Sequence, residues 1–323
     1  MNVFTKRLDN FLVYVDDMSA IHGVLDRIIE WAQARQAKVT LAGVVEPVKA
    51  WTTDARRMAT EVQNELASSV ENQLTELTKT LMDSGLDVSV KVYHGDPTTV
   101  LVQAVIQEEY DLLLKAHAPV GGRFTHSLSS IDRRLLRACP CPIAILRPLQ
   151  PDHAGRILAA VNHDPEQKDK VPITDIILEV ATRAALAGFR ELHILHAWSI
   201  YGESSLKTGF ARISKESLDE LRNTEEKAHQ DWLNALVEEF LGKLGPETAQ
   251  HLAPKVYLMK GTPRQVIVQQ VEQLKPDLLV IGSVARTGLP GLTIGNTAEA
   301  ILNEVDCSVA IVKPAEFKSP IHP

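Results

Sequence analysis

Cysteine and aromatic residues are scarce in this chain: three Cys in 323 residues, with Phe, Trp and Tyr together at 5%. Three thiols, two of them in Cys139-Pro-Cys141, cannot build a disulfide framework and lack the second pair that a structural zinc site needs. They read as reduced packing residues. Long apolar runs are missing as well. The longest stretch without Asp, Glu, Lys or Arg, Thr287 to Ala298, is 12 residues and contains three Gly and a Pro. A membrane helix needs roughly 18 to 20 apolar residues, so no membrane partner is expected. Nor is there an excess of positive charge: 34 Lys plus Arg against 41 Asp plus Glu give a net charge of -7. Nucleic-acid phosphates and anionic lipids therefore find no bulk electrostatic attraction, and the cluster Arg133, Arg134, Arg137 reads as a solvated helix face. The opening MNVFTKRLDNFLVYVDD turns acidic before any continuous apolar stretch, unlike a secretory signal. A cytoplasmic location is the expectation.

What is present is an ordinary globular composition, 45% apolar and 23% charged, over a length that suggests about two domains at roughly 150 residues each. The two are copies. Tyr93 to Leu114 aligns without gaps on Met259 to Val280, pairing Gly95 with Gly261, Pro97 with Pro263, Val100 with Val266 and Asp111 with Asp277. The offset of 166 persists from Cys141 to Pro148, which matches Cys307 to Pro314. Earlier in each half the register loosens, Asn10 to Asp16 resembling Arg156 to Asn162 at an offset of 146 and Val39 to Val45 resembling Leu192 to Trp198 at 153. The second copy is thus longer in its connections. Pro and Gly punctuate the junction Pro148 to Gly155, which places the domains at 1–150 and 151–323.

Within the second half, β-rich runs at 156–162, 191–198, 255–259, 277–282 and 308–313 alternate with helical segments such as Ser214 to Leu244. In the first half the long helix is Thr52 to Met82, closed by Asp83-Ser84-Gly85. Parallel strands need crossovers, so the alternation implies an α/β fold: two tandem doubly wound, Rossmann-like parallel sheets with helices on both faces. Ligands of such sheets bind beyond the carboxyl ends of the strands.

One of those ends carries a glycine-rich loop, Gly282-Ser-Val-Ala-Arg-Thr-Gly-Leu-Pro-Gly-Leu-Thr-Ile-Gly295-Asn-Thr, followed by the helix-compatible Ala298 to Glu304. Glycine lets backbone approach a phosphate closely, and a helix start supplies free N–H groups and a favourable dipole. The loop has no Gly-Lys-Ser/Thr and no G-x-G-x-x-G, which excludes the two common nucleotide fingerprints. Its spacing, Gly282, Ala285, Gly295 and Asn296, resembles the G-x2-G-x9-G-(Ser/Thr/Asn) loop of the universal stress protein family. Ala285-Arg-Thr-Gly288, the ending Gly295-Asn-Thr-Ala-Glu and the duplicated framework are similar to tandem members of that family of the E type.

The resemblance implies five strands per half and ATP, or AMP, held by this loop. Carried over by position, Gly282 and Ala285 would line the phosphates, with Ile281, Val284, Arg286 and Gly288 alongside. Gly295, Asn296 and Thr297 would donate hydrogen bonds to them. Ala160, Val161 and Asn162 would meet ribose and adenine, and Ala197 would frame the base. Two positions depart from the family: Ala285 stands where it has glycine, and Asn162 where nucleotide binders have aspartate. Asp164 is the nearby carboxylate that could substitute and hold Mg²⁺. In the first half the corresponding positions are Ala116, Pro119, Ser129 and Ser130, so the phosphate cradle is lost although Asp16 and Asp17 keep the acid. That half is expected either to fill its pocket with its own chain or to serve another ligand.

Other constellations are weaker. His193 and His196, three apart on a strand, face opposite sides and cannot share an ion. No Ser/His/Asp order or G-x-S-x-G elbow is present. Arg286 and Asp164 could serve a γ-phosphate and Mg²⁺, but no residue is placed to orient a nucleophile. A nucleotide-responsive binding protein is favoured over an efficient ATPase, with slow hydrolysis, a nucleotide-free scaffold and an apolar ligand in the first half as alternatives. The resemblance further implies an intrachain pseudo-dimer through Ile143 to Arg147 and Val309 to Lys313. A homodimer beyond that is left open by the sequence.

Overall fold

A computed structural model describes residues 8–117, 128–149, 154–163, 172–188, 191–200, 202–203, 214–283 and 295–322. The first half runs β1 (Asn10–Tyr14), α1 (Met18–His22), α2 (Leu25–Gln33), β2 (Lys38–Val45), α3 (Thr53–Asp83), β3 (Asp87–His94), α4 (Pro97–Gln107), β4 (Leu112–Ala116), α5 (Ser130–Ala138) and β5 (Ile143–Leu146). The second continues with β6 (Arg156–Val161), α6 (Ile173–Leu186), β7 (Glu191–Trp198), α7 (Lys215–Leu244), α8 (Pro246–Leu252), β8 (Lys255–Lys260), α9 (Pro263–Leu274), β9 (Leu278–Gly282), α10 (Asn296–Leu302) and β10 (Ser308–Val312). The boundary expected between 150 and 151 falls outside the described residues.

All ten of these strands form one sheet, ordered β3-β2-β1-β4-β5-β10-β9-β6-β7-β8. Each half is parallel within itself, as the strand–helix alternation requires, and the two last strands pair antiparallel with Ile143 opposite Ile311 and Ile145 opposite Val309. The inner strands are apolar on both sides because helices cover both sides. Phe11 and Val13 join Leu278 and Val280 in a core under α2, α3, α6 and α7. Leu12, Tyr14, Leu279 and Ile281 lie in the opposite core under α4, α5, α9 and α10. Both cores run through the seam between the halves.

Local signals set the helix ends. Thr52 caps α3 and Ser214 caps α7, each side-chain hydroxyl accepting from a backbone N–H one turn in. Asp96 does the same for α4, with Pro97 at its first position. The duplicated acids Asp111 and Asp277 have matching tasks: each carboxylate accepts from the backbone N–H that opens its half's first strand, at Asn10 and Arg156.

Across the seam the key residue is Arg27 on α2, 3% exposed. Its guanidinium donates to the Ser308 hydroxyl at 2.6 Å and the Arg147 carbonyl at 3.1 Å. Burial pulls the group down to about 10, partly offset by Asp277.

Candidate functional site

The strand order reverses direction of growth between β1 and β4 in the first half and between β6 and β9 in the second. These are the crevices where a doubly wound sheet takes ligands. In the second half, Ala160 and Val161 end β6, and Asn162 follows with its carbonyl accepting from the Thr174 hydroxyl at 2.9 Å. Ala197 is half-buried near the end of β7, and Ile281 and Gly282 end β9. Gly295 is buried at the N-cap of α10, Asn296 and Thr297 begin the helix, and among the described residues no side chain caps it. Among the described residues the crevice therefore combines small side chains with backbone donors at the start of α10 that its N-cap glycine leaves uncapped. Asp164, Val284, Ala285, Arg286 and Gly288 lie outside the described residues.

Two residues of this edge acquire meanings that spacing did not supply. A Cβ on Gly282 would lie 2.7 Å from Cδ1 of Ile173, so the glycine admits α6 against the sheet. Its smallness has a packing cause regardless of any phosphate. Ser283, the next residue, is 5% exposed, and its hydroxyl has no hydrogen-bond partner among the described residues. A buried orphan hydroxyl costs about 1–3 kcal/mol unless satisfied, so it marks a donor available to a bound group. The loop pattern treats this position as variable, which is why sequence reading passed over it.

The first-half crevice is built differently. Lys115 at the end of β4 is fully buried, with its ammonium 2.8 Å from Asp16 and 3.0 Å from Asp132. Burial pulls this ammonium down, but Asp132 and Asp16 outweigh it and hold its pKa above the ordinary lysine value. Burial raises Asp16 despite the lysine. Asp132 also closes the start of α5: its carboxylate accepts from Ser129 N at 2.9 Å while the Ser129 hydroxyl accepts from Asp132 N at 3.0 Å. The helix start that a phosphate would use is occupied by the chain's own carboxylate, with a lysine as its counter-ion. The aligned positions in the second half are Asn162, Ile281, Gly295 and Ala298, none of them charged. Among the described residues, the first half's switch point thus holds three ionic side chains where the second half's aligned positions are uncharged.

No group of three or more His, Cys, Asp or Glu among the described residues is arranged to hold a metal ion. His193 and His196 do face opposite sides, His193 meeting Tyr257 and Glu191 and His196 meeting Val161 and His229. Cys139, Cys141 and Cys307 are buried free thiols. No helix among the described residues is long and apolar enough to cross a membrane.

Comparison with known proteins agrees with this architecture. The model of the universal stress protein family matches twice, over residues 8–147 and 155–313. Universal stress protein E of Salmonella typhi is 25% identical over 251 residues, covering 77% of this chain and 75% of that protein. A functionally unknown protein from Pseudomonas aeruginosa PAO1 superimposes with a TM-score of 0.70 at 22% identity, covering 96% of this chain and 94% of the other. A universal stress protein from Archaeoglobus fulgidus gives a TM-score of 0.64 at 18% identity, over 95% and 99% of the two chains.

Proposed function

The chain belongs to the universal stress protein family as a tandem member of the E type, and from that premise we propose that this stress-response protein binds an adenine nucleotide in its second half only. The observation that carries the reading is the contrast between the two crevices. In the first, Lys115, Asp16 and Asp132 fill the switch point. In the second, among the described residues, the aligned positions Asn162, Ile281, Gly295 and Ala298 carry no charge, the N-cap of α10 is a glycine and the Ser283 hydroxyl has no hydrogen-bond partner. ATP or AMP, with Mg²⁺ held by Asp164, is the ligand class we assign to it. Gly295, Asn296 and Thr297 would meet the phosphates, and Ala160, Val161, Asn162 and Ala197 the nucleoside. An apolar ligand gains no support at the first switch point, where three ionic side chains stand.

Binding without efficient turnover is the expected behaviour, and cytoplasm the expected place. The test is calorimetric titration of ATP and AMP, with and without Mg²⁺, into the full chain and two variants. Gly295→Val should weaken binding at least tenfold, because a branched side chain stands where the phosphate must approach. Ser129→Ala, in the other half, should leave it within twofold. Equal loss in both variants, or no binding by the parent chain, would sink the assignment. Gly282→Val is the poorer probe, since its contact with Ile173 confounds binding with folding.

A further inference from the structure

His196, on β7, is 1% exposed and bonded on both ring nitrogens: Nδ1 to the Val161 carbonyl of β6 at 3.2 Å, Nε2 to Nδ1 of His229 on α7 at 2.9 Å. We propose that this imidazole pair is an acid-opened clasp, closed at neutral pH to hold α7 on the carboxyl edge of β6 and β7 and opened by protonation.

The tautomers follow from the partners. A carbonyl can only accept, so His196 Nδ1 carries the hydrogen and its neutral Nε2 accepts. His229 Nδ1 must then donate, leaving His229 Nε2 free to accept, 4.0 Å from the Glu225 carboxylate. A first proton fits on that outer nitrogen, facing Glu225. A second does not: it would set N–H against N–H across 2.9 Å. The pair titrates as a unit, and its second proton is the one that breaks it.

The surroundings oppose that charge. Trp232 packs 4.7 Å from His196 and 4.6 Å from His163, and Trp198 lies 5.6 Å from His229. β6 offers a carbonyl rather than a carboxylate, and the imidazole of His163 follows it. From α7 the facing acid is Glu225. Glu203 is taken up by Arg222 and Lys260, and Lys260 also sits over Trp198. Burial therefore pushes His196 down to about 4, with His229 and His163 adding to the effect against the Val161 hydrogen bond. Burial also lowers His229, against the pull of Glu225. The folded state thus binds fewer protons than the unfolded chain, whose imidazoles titrate near 6.5, so the clasp's stabilisation is complete above that pH and lost as pH falls towards 4. The release would be local. Among the described residues the buried anchors of α7 are Leu233 and Phe240, both C-terminal to His229, so the segment ahead of them depends on the clasp, the half-buried Trp232 and surface ion pairs.

The test is hydrogen exchange by mass spectrometry on the full chain, from pH 7.5 to 4, corrected for intrinsic rates. Protection in the peptide spanning 222–232 should fall at least tenfold on acidification while peptides of β1 and β4 stay protected. The double variant His196→Gln, His229→Gln, which keeps amide hydrogen bonding but cannot titrate, should hold its protection to a pH at least half a unit lower. The variant His251→Gln, at an exposed site on α8, should behave as the parent. If the whole molecule opens in one step, the same half-unit difference between parent and double variant is the expected result. Identical midpoints, or constant protection in the parent, would overturn the clasp.

Discussion

At the scale of single residues the two halves differ by charge. Lys115 and its carboxylates are stable where they are because each charge has partners; remove one and the rest are stranded in a buried crevice. Lys115→Met should cost about 3–5 kcal/mol in urea unfolding, the usual cost of breaking a buried ion pair. Giving the first half the second half's residues at the same places, Asp16→Asn, Lys115→Ile and Asp132→Ala together, should recover most of that loss, since no lone charge then remains. A triple variant no more stable than Lys115→Met would show that the charges are not the unit that matters. Aligning the halves, at 146 for Asp16 and 166 for Lys115 and Asp132, flags the triad only as three unlike positions, and nothing in the spacing says that Asp16 and Asp132 converge on one ammonium.

At the scale of elements, the helices after β4 and β9 are the informative pair. α5 has a full capping box, Ser129 with Asp132, whereas α10 starts at Gly295 with no side-chain cap. Substituting Ser129 by Ala should lower stability by about 1 kcal/mol, as loss of a serine cap does. It should leave nucleotide affinity unchanged, measured by chemical denaturation beside the same titration; a drop in affinity would move the site to the wrong half. Element positions were largely legible in advance. Glu191–Trp198 is the strand that the β-rich run indicates, and the long helices end within a residue or two of Ser214–Leu244 and Thr52–Met82. Caps, glycines and apolar periodicity are local signals, and these elements obey them.

The whole molecule is one continuous sheet with a seam. Arg27 ties α2 to Ser308 and Arg147, and both cores cross the β5–β10 pair. The halves are therefore expected to unfold together in a single transition, seen as coincident curves by far-ultraviolet circular dichroism and tryptophan fluorescence. Residues 154–323 expressed alone would expose the β10 edge, with Val309 and Ile311 beside unpaired backbone groups, and an open apolar edge recruits another strand. That half should sediment as a dimer or aggregate. A well-behaved monomer would show that the seam contributes little.

Sequence by itself determined the duplication, the α/β class, the strand and helix order and the strand end at which Gly282 stands. Each of these follows from short-range pattern, since periodicity, turn residues and register are written along the chain. The tertiary structure alone decided how the first crevice is filled, why Gly282 must be small, and which groups His196 meets. Those facts join residues far apart along the chain, as with Asp16 and its partners Lys115 and Asp132, or separate strands and helices, as with Val161, His196 and His229. Charge pairing in a buried space depends on distance and dielectric, which no linear spacing encodes.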